Sequence, residues 1–148
     1  MKIKIAWIGK TKEPAIVSLT DEYLMRLSRY AQVEGVTVRD EADLLAKFGR
    51  VAKTATKSTL VLMDSRGKEF SSEQFAKFLG DYQDRNPLPL VFAIGGADGF
   101  SAETKSAAAT VISLGKMTIA HELARVVLLE QVYRAFTILK GHPYHSGH

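Results

Sequence analysis

Cysteine is absent from this chain, and its absence excludes several kinds of site at once. A disulfide framework, a thiolate metal centre and a cysteine nucleophile all require that side chain. No uninterrupted apolar run approaches the roughly 18 residues that a membrane span needs. The first residues, MKIKIAWIGKTKEP, lack the apolar core of a signal peptide, so we expect a soluble cytoplasmic protein.

Motifs of several common enzyme classes are missing as well. There is no Gly-x-Ser-x-Gly, no Ser–His–acid order and no cluster of carboxylates, which disfavours a hydrolase. His121 and Glu122 begin a zincin-like pattern, but Arg125 stands where the second histidine would be required. An enzyme of this composition is expected to work by binding and orienting a reactive cofactor.

Size and charge set broader bounds. The 148 residues, 46% of them hydrophobic, are enough for one compact domain, which we expect to cover residues 1–148. The formal net charge of +4 is compatible with a polyanionic partner, and an ordinary solvated surface explains it equally well.

The hydrophobic pattern alternates between strands and helices along the chain. Period-two or short apolar runs predict strands at 2–8, 33–39, 59–63, 90–94 and 110–114. Three- and four-residue spacing predicts helices at 16–30 and 42–54, after Ser71, after Ser101 to about 109, and at 119–140, with a turn at 64–68. This order predicts an α/β fold, a single domain with a mainly parallel sheet and helices on both faces.

A glycine turn follows the strand at 90–94. Gly95, Gly96 and Gly99 permit positive φ and close approach of a ligand to the backbone, and ligands of α/β sheets bind beyond the carboxyl ends of strands. The GGxxG spacing is not the dinucleotide GxGxxG and the turn lacks GK[ST], which disfavours a Rossmann dehydrogenase and a P-loop. A tight turn without function is the alternative.

A second turn links the last strand to the last helix, at 114–119. Its backbone groups suit the hydrogen-bonding edge of an adenine, with Met63 as an apolar wall. The candidate binding residues here are Leu114, Gly115, Lys116, Met117, Thr118 and Ile119. Solvation of Lys116 and core packing of Met117 remain open alternatives.

The C-terminal tail concentrates groups that exchange protons or stack on bases. His142, Tyr144 and His145 lie within the last seven residues. A metal site is disfavoured because zinc would need further ligands, and a frayed tail is the alternative for His148. The long helix before the tail is apolar over much of its circumference, so it is either deeply buried or packs against a second subunit.

Three long segments resemble a known family. FAIGGADGFS at 92–101, ISLGKMTIAHELARVVLLEQVYRAF at 112–136 and ILKGHPYH at 138–145 are similar to the RlmH-type methyltransferases of large-subunit ribosomal RNA, which belong to the SPOUT superfamily. The resemblance extends to the KIKIAWIGK start and to LMDSRGKEFSSEQFA at 62–76. It implies transfer of a methyl group from S-adenosylmethionine to N3 of a pseudouridine in 23S rRNA.

The resemblance also implies a homodimer and a C-terminal part threaded as a trefoil knot. Carried over by position, the cofactor contacts are Met63, the glycine turn with Gly95 and Gly96, and residues 114–119. Members commonly end with a basic residue just after the last tail histidine, whereas this chain continues with Ser146. The runner-up interpretation is a catalytically silent dimer that binds RNA or the ribosome.

Methylation at N3 requires loss of a weakly acidic proton and stabilisation of the resulting charge. We expect His142, Tyr144 or His145 near the target base and Arg125 or Arg134 near phosphate or the developing anion, with the general base open. Basic residues of the first half, Lys10, Lys12 and Arg29, are expected to meet the RNA strand.

Overall fold

The structure is a computed structural model that describes residues 1–49 and 57–146. Its centre is a five-stranded, fully parallel sheet in the order β2-β1-β4-β3-β5. The strands are β1 Lys2–Ile8, β2 Gln32–Val38, β3 Thr59–Glu69, β4 Leu90–Ile94 and β5 Thr110–Ser113. The helices are α1 Pro14–Leu27, α2 Glu41–Phe48, α3 Ser72–Arg85, α4 Ala102–Ser106 and α5 His121–Leu139.

Helices cover both faces of the sheet, as the sequence predicts. On one face α1, α3 and α5 pack on side chains such as Ile3, Ile5 and Phe92. On the other, α2 and the segment around α4 pack on alternate positions such as Ala6 and Leu62. Both faces are therefore dry, which explains why β4 is apolar at all five positions.

Local signals set several element boundaries. The predicted capping box of α3 is present: the Ser71 side chain accepts from the Gln74 backbone, and the Gln74 side chain accepts from that of Ser71. The helix α5 ends in a Schellman motif, in which Gly141 adopts φ 71° and the His142 N–H reaches the Thr137 carbonyl at 2.9 Å. This turn folds the tail back along α5.

The predicted turn at 64–68 is wrong. The strand β3 continues to Glu69 and, after a register shift that follows Met63, pairs with β5 again through Lys68 and Glu69. Polar composition suggested a turn, but residues 64–67 form an irregularity within β3, because Met63 and Lys68 are both in register with Ile112 of β5. Gly67 allows this, because a Cβ there would lie 2.7 Å from the Val111 carbonyl.

Four helices also have boundaries that differ from the predicted ranges, and α1 spans Pro14–Leu27 in place of 16–30. The helix α2 ends at Phe48, with Gly49 as its cap. The remaining part of its predicted range, residues 50–54, lies outside the described residues. The helix α4 stops at Ser106, and α5 starts at His121. No helix in the described parts of the chain combines the length and apolarity needed to cross a bilayer.

Candidate active site

A cleft of about 230 Å³ opens at the carboxyl ends of β3, β4 and β5. The glycine turn after β4 and the turn after β5 form two of its walls, and Met63 at the middle of β3 lies between them. The two turns do not leave neighbouring strands, because β3 is inserted between β4 and β5. The cleft thus has the position that ligands occupy in parallel α/β sheets.

The glycine turn is shaped by close backbone contacts. A Cβ on Gly95 would lie 3.1 Å from the Gly99 carbonyl, and Gly99 adopts φ 72°. Gly96 and Gly99 form an isolated antiparallel bridge, which closes the turn on itself. Of the three glycines, only Gly99 adopts the positive φ that the sequence suggested. At Gly95 a side chain would instead crowd the Gly99 carbonyl.

The second turn is fixed by the buried hydroxyl of Ser113. Its Oγ accepts from the Gly115 N–H at 2.9 Å and lies 2.8 Å from the Gly115 carbonyl and 3.2 Å from the Ser65 carbonyl. Gly115 adopts φ 138°, a conformation that side chains rarely allow. The turn is therefore tied to β3 through the contact between Ser113 and Ser65.

Eight of the nine predicted cofactor residues line the cleft. They are Met63, Gly95, Gly96, Leu114, Gly115, Met117, Thr118 and Ile119. Lys116 is in the same turn but is exposed and does not line the cleft. Met117 is 81% exposed, so the alternative interpretation in which it packs in the core is wrong.

Asp64 and His121 are among the cleft residues that the sequence analysis did not predict. Asp64 was assigned to a turn, yet its side chain is 5% exposed and is paired with Lys105 at 3.3 Å and Arg66 at 3.6 Å. Burial alone raises the pKa of Asp64, but the Arg66 N–H and the Lys105 ammonium outweigh it and lower the pKa. His121 lines the cleft as the first residue of α5, and its place directly after the turn was the available signal.

Arg125 is buried away from the cleft lining. It is 1% exposed, stacks on Trp7 at 5.1 Å, and donates to Thr11 and to the carbonyls of Ile8 and Gly9. Burial lowers its pKa, and nearby Glu122 opposes the shift. The guanidinium therefore holds the loop between β1 and α1.

Glu122 holds the same loop from the first turn of α5. Its carboxylate accepts from the backbone N–H groups of Lys12 and Glu13 at 3.0 and 3.2 Å. These bonds lower the pKa of Glu122. Lys10 and Lys12 are thereby presented at the carboxyl end of β1, whereas Arg29 lies beside Met1 and the proline segment at 87–89, at the amino ends of the strands.

The tail is docked on α5 and α3. The Tyr144 hydroxyl donates to Glu130 at 3.3 Å, its ring packs edge-on against Tyr133, and the Arg134 guanidinium lies 4.9 Å from its centroid. Burial and the Glu130 carboxylate raise the pKa of Tyr144 to about 12. His145 contacts Arg134 and Glu73, and His142 accepts from the Tyr144 N–H. The tail is ordered, not frayed, through residue 146.

The structure does not bring the tail and the cleft together within one chain. His121 lies at the cleft, whereas the docked tail contacts α5 at Glu130 and Arg134, nine and thirteen residues further along, which is about 14–20 Å at the usual helical rise. Among the residues the structure describes, no group of three or more histidine or carboxylate side chains is arranged to hold a metal. The chemistry available in one chain is therefore a backbone-rich cleft at the start of α5 and a polar cluster further along the same helix, around Glu130 and Arg134.

Comparison with known proteins agrees with this architecture. A chain from Koribacter versatilis called ribosomal RNA large subunit methyltransferase H is 56% identical over 148 residues and covers all of both chains. One of the same name from Trichlorobacter lovleyi is 41% identical, with coverage of 98% and 99%. The SpoU methyltransferase AviRb from Streptomyces viridochromogenes, solved with AdoMet, shares the fold with a TM-score of 0.53 at 12% identity.

The AviRb alignment covers 90% of this chain but 57% of AviRb, so this chain spans less than two thirds of that protein. The family model described as "Predicted SPOUT methyltransferase" matches residues 1–145. The match includes both cleft turns, the whole of α5 and the tail. The chain therefore belongs to the SPOUT methyltransferase family, as its sequence motifs indicated.

Proposed function

We propose that this protein uses S-adenosylmethionine to methylate N3 of a pseudouridine in 23S rRNA of the large ribosomal subunit. The observation that carries the proposal is the cleft, eight of whose lining residues coincide with the cofactor positions implied by the family motifs. The name of the 56% identical relative supports rRNA as the substrate class. We place the activity in the cytoplasm and in a single domain of residues 1–148, with the C-terminal part threaded as a knot.

The cleft fits S-adenosylmethionine by the character of its lining. Met63, Ile94 and Ile119 offer apolar surface for an adenine ring, and the two turns offer backbone donors and acceptors. At Gly96 and Gly115 an added Cβ would meet no protein atom within 4 Å, so both positions leave room that a side chain would fill.

Bound S-adenosylmethionine supplies a methyl group on a positively charged sulfur, which is already activated for transfer. The residues of this chain then need to bind, align and exclude water. The turns at 95–99 and 114–119 hold the donor, and the loop with Lys10 and Lys12 offers cations to the RNA backbone. We assign Arg125 the role of holding that loop, because its own guanidinium is buried beneath it.

We propose that the active unit is a homodimer in which the tail of one chain serves the cleft of the other. The separation of tail and cleft along α5 supports this arrangement, since one chain does not unite them. Exposed apolar side chains that a second subunit would cover support it as well: Val17 and Leu19 on α1, Leu123 and Leu139 on α5, and Met117. His142, Tyr144 and His145 would then meet the target base.

Calorimetric titration with S-adenosylmethionine tests the cleft. Gly96→Val fills open space in the cleft and is expected to abolish binding, whereas Ala46→Val, exposed on α2, is expected to leave binding unchanged. Absence of binding by the wild-type protein would instead favour a silent RNA-binding dimer.

Mass spectrometry of rRNA tests the substrate. A deletion strain is expected to lose one methyl group on a pseudouridine of 23S rRNA, and the wild-type gene to restore it. Single-turnover methylation by His142→Ala, Tyr144→Ala and His145→Ala tests the tail. If all three retain the wild-type rate, the proposed role of the tail is wrong.

A further inference from the structure

His145 is held between two helices through both of its ring nitrogens. Its Nδ1 lies 2.9 Å from Nη1 of Arg134 on α5, and its Nε2 lies 2.7 Å from Oε1 of Glu73 on α3. A guanidinium has donors only, so Nδ1 must accept the bond from Arg134. The ring proton is then on Nε2 and is donated to Glu73. The two partners together select one tautomer of His145.

Both partners are themselves held in place. Glu130 accepts from Nε and Nη2 of Arg134 at 2.9–3.2 Å, which fixes the fork of the guanidinium. Glu73 lies in the first turn of α3, between Ser71 and Gln74, the two residues whose capping box fixes the start of that helix. The hydrogen bond from His145 lowers the pKa of Glu73, so the carboxylate is ionised at neutral pH. The orientation of His145 is thus imposed by two rigid elements.

We propose that Glu73 is a positioning residue for the methyl transfer: it fixes the Nε2–H tautomer of His145 and thereby anchors the tail in its working geometry. The proposal rests on the function proposed above, in which the tail meets the target base. Glu73 itself does not line the cofactor cleft and is 72 residues from His145 in the chain. Its effect on the reaction is exerted through His145.

The same geometry assigns hydrogen-bonding states to the tail. A general base needs a free lone pair, but Nδ1 of His145 is engaged by Arg134 and Nε2 carries the proton. Nδ1 of His142 accepts the Tyr144 N–H at 3.2 Å, and the phenol of Tyr144, with a pKa of about 12, stays protonated at neutral pH. The tail therefore presents placed hydrogen-bond donors, and His145 acts as its anchor.

The contact contributes to position more than to overall stability. The Glu73 side chain is 65% exposed and that of His145 31% exposed, and pairs this accessible contribute little to folding because solvent screens them. Loss of the carboxylate is therefore expected to leave the fold intact and to let the tail move. A displacement of about 1 Å in a catalytic group is enough to reduce a rate by roughly a hundredfold.

The experiment compares Glu73→Ala and Glu73→Gln with Asp84→Asn, which removes an exposed carboxylate from the same helix. Nitrogen-15 NMR of histidine-labelled full-length protein reads the tautomer, with His145→Gln to assign the signal. We expect the Nε2–H pattern in wild type and Asp84→Asn and an averaged pattern in Glu73→Ala. Single-turnover methylation of rRNA is expected to fall about 10- to 100-fold in Glu73→Ala. Glu73→Gln keeps an acceptor and is expected to restore most of the rate.

Two further measurements separate position from general damage. The melting temperature is expected to stay within about 4 °C of wild type in every variant, as a surface contact requires. Affinity for S-adenosylmethionine is expected to be unchanged, because neither Glu73 nor His145 lines the cleft. A lower affinity or a large loss of stability would overturn the positioning role.

Other outcomes identify which proposal fails. An Nδ1–H tautomer in the wild-type protein, or wild-type methylation by Glu73→Ala, overturns the inference about Glu73. If Glu73→Ala changes the tautomer while the rate is unchanged, the positioning role is wrong and the proposed function stands. A wild-type protein that binds S-adenosylmethionine but does not methylate rRNA overturns the proposed function and this inference together.

Discussion

Replacing Gly67 with alanine places a methyl group against the backbone of the adjacent strand. The new Cβ would lie 2.7 Å from the carbonyl carbon and oxygen of Val111 and 2.8 Å from the carbonyl carbon of Ile112. Favourable contacts between carbon atoms lie at about 3.5–4.0 Å, so the two backbones must separate by roughly 0.8 Å. Main-chain atoms in a paired strand have no rotamer by which to move aside.

We estimate the loss of stability for Gly67→Ala from this overlap. Inserting a methyl group into a packed region costs about 1–3 kcal/mol. Because the new methyl group meets backbone atoms, we expect a loss of stability of about 3 kcal/mol, at the upper end of that range. In a protein of this size, that corresponds to a fall in melting temperature of roughly 6–12 °C. The backbone conformation of Gly67 adds no strain of its own, because its φ is not positive.

Urea unfolding at one fixed protein concentration measures this difference as a lower midpoint with an unchanged slope. Gly96→Ala is the matched control, because a Cβ at Gly96 meets no atom within 4 Å and the change is expected to cost less than about 0.5 kcal/mol. A loss below about 1 kcal/mol for Gly67→Ala, or an equal loss for both variants, would refute the steric argument.

Three further predictions concern ionisation and packing. In a spectrophotometric titration, one phenol of the wild-type protein is expected to ionise near pH 12, and Tyr144→Phe to remove it. Because the folded pKa of Tyr144 is raised, stability should fall as pH rises from about 10 to 12, and less so in Tyr144→Phe; identical profiles would contradict this. The folded pKa of Asp64 is lowered, so its contribution to stability is present above its unfolded pKa and is lost as pH falls through the folded pKa. Asp64→Asn should therefore show a smaller difference in unfolding free energy between about pH 6 and pH 3, and an unchanged difference would count against the ion pairs. In Gly35→Ala the new Cβ would overlap the ring of Trp7, which is the sole tryptophan of the chain. We therefore expect the tryptophan fluorescence emission to shift to longer wavelength. An unshifted spectrum would show that the ring is free to move.

Strand and helix order could be predicted because local patterns carry it. The apolar run of β4, the alternation of β1 and the capping box at Ser71 all depend on neighbours within a few residues. The extension of β3 could not be predicted, since β3 resumes pairing only at Lys68 and Glu69, with residues of β5 more than 40 positions later in the chain. Pairing between distant segments overrode a local turn signal.

The cleft was partly predictable for the same reason. Glycine turns directly after buried strands point to a ligand edge, and eight predicted residues do line the cleft. Asp64 was missed because its burial and its partner Lys105 depend on how α4 packs against β3. Sequence spacing also gave no sign that Arg125 would lie under the β1–α1 loop, 114 residues from its partner Thr11.

The sequence by itself determined the alternation of strands and helices, the backbone-rich turns and the family, because these depend on short-range periodicity and contiguous motifs. Tertiary structure decided which strands are neighbours, that the tail docks on α5 outside the cleft, and that Glu73 and Arg134 select one tautomer of His145. The reason is physical: hydrogen bonds and ion pairs between distant segments exist only after burial of the apolar faces has fixed the helices against the sheet.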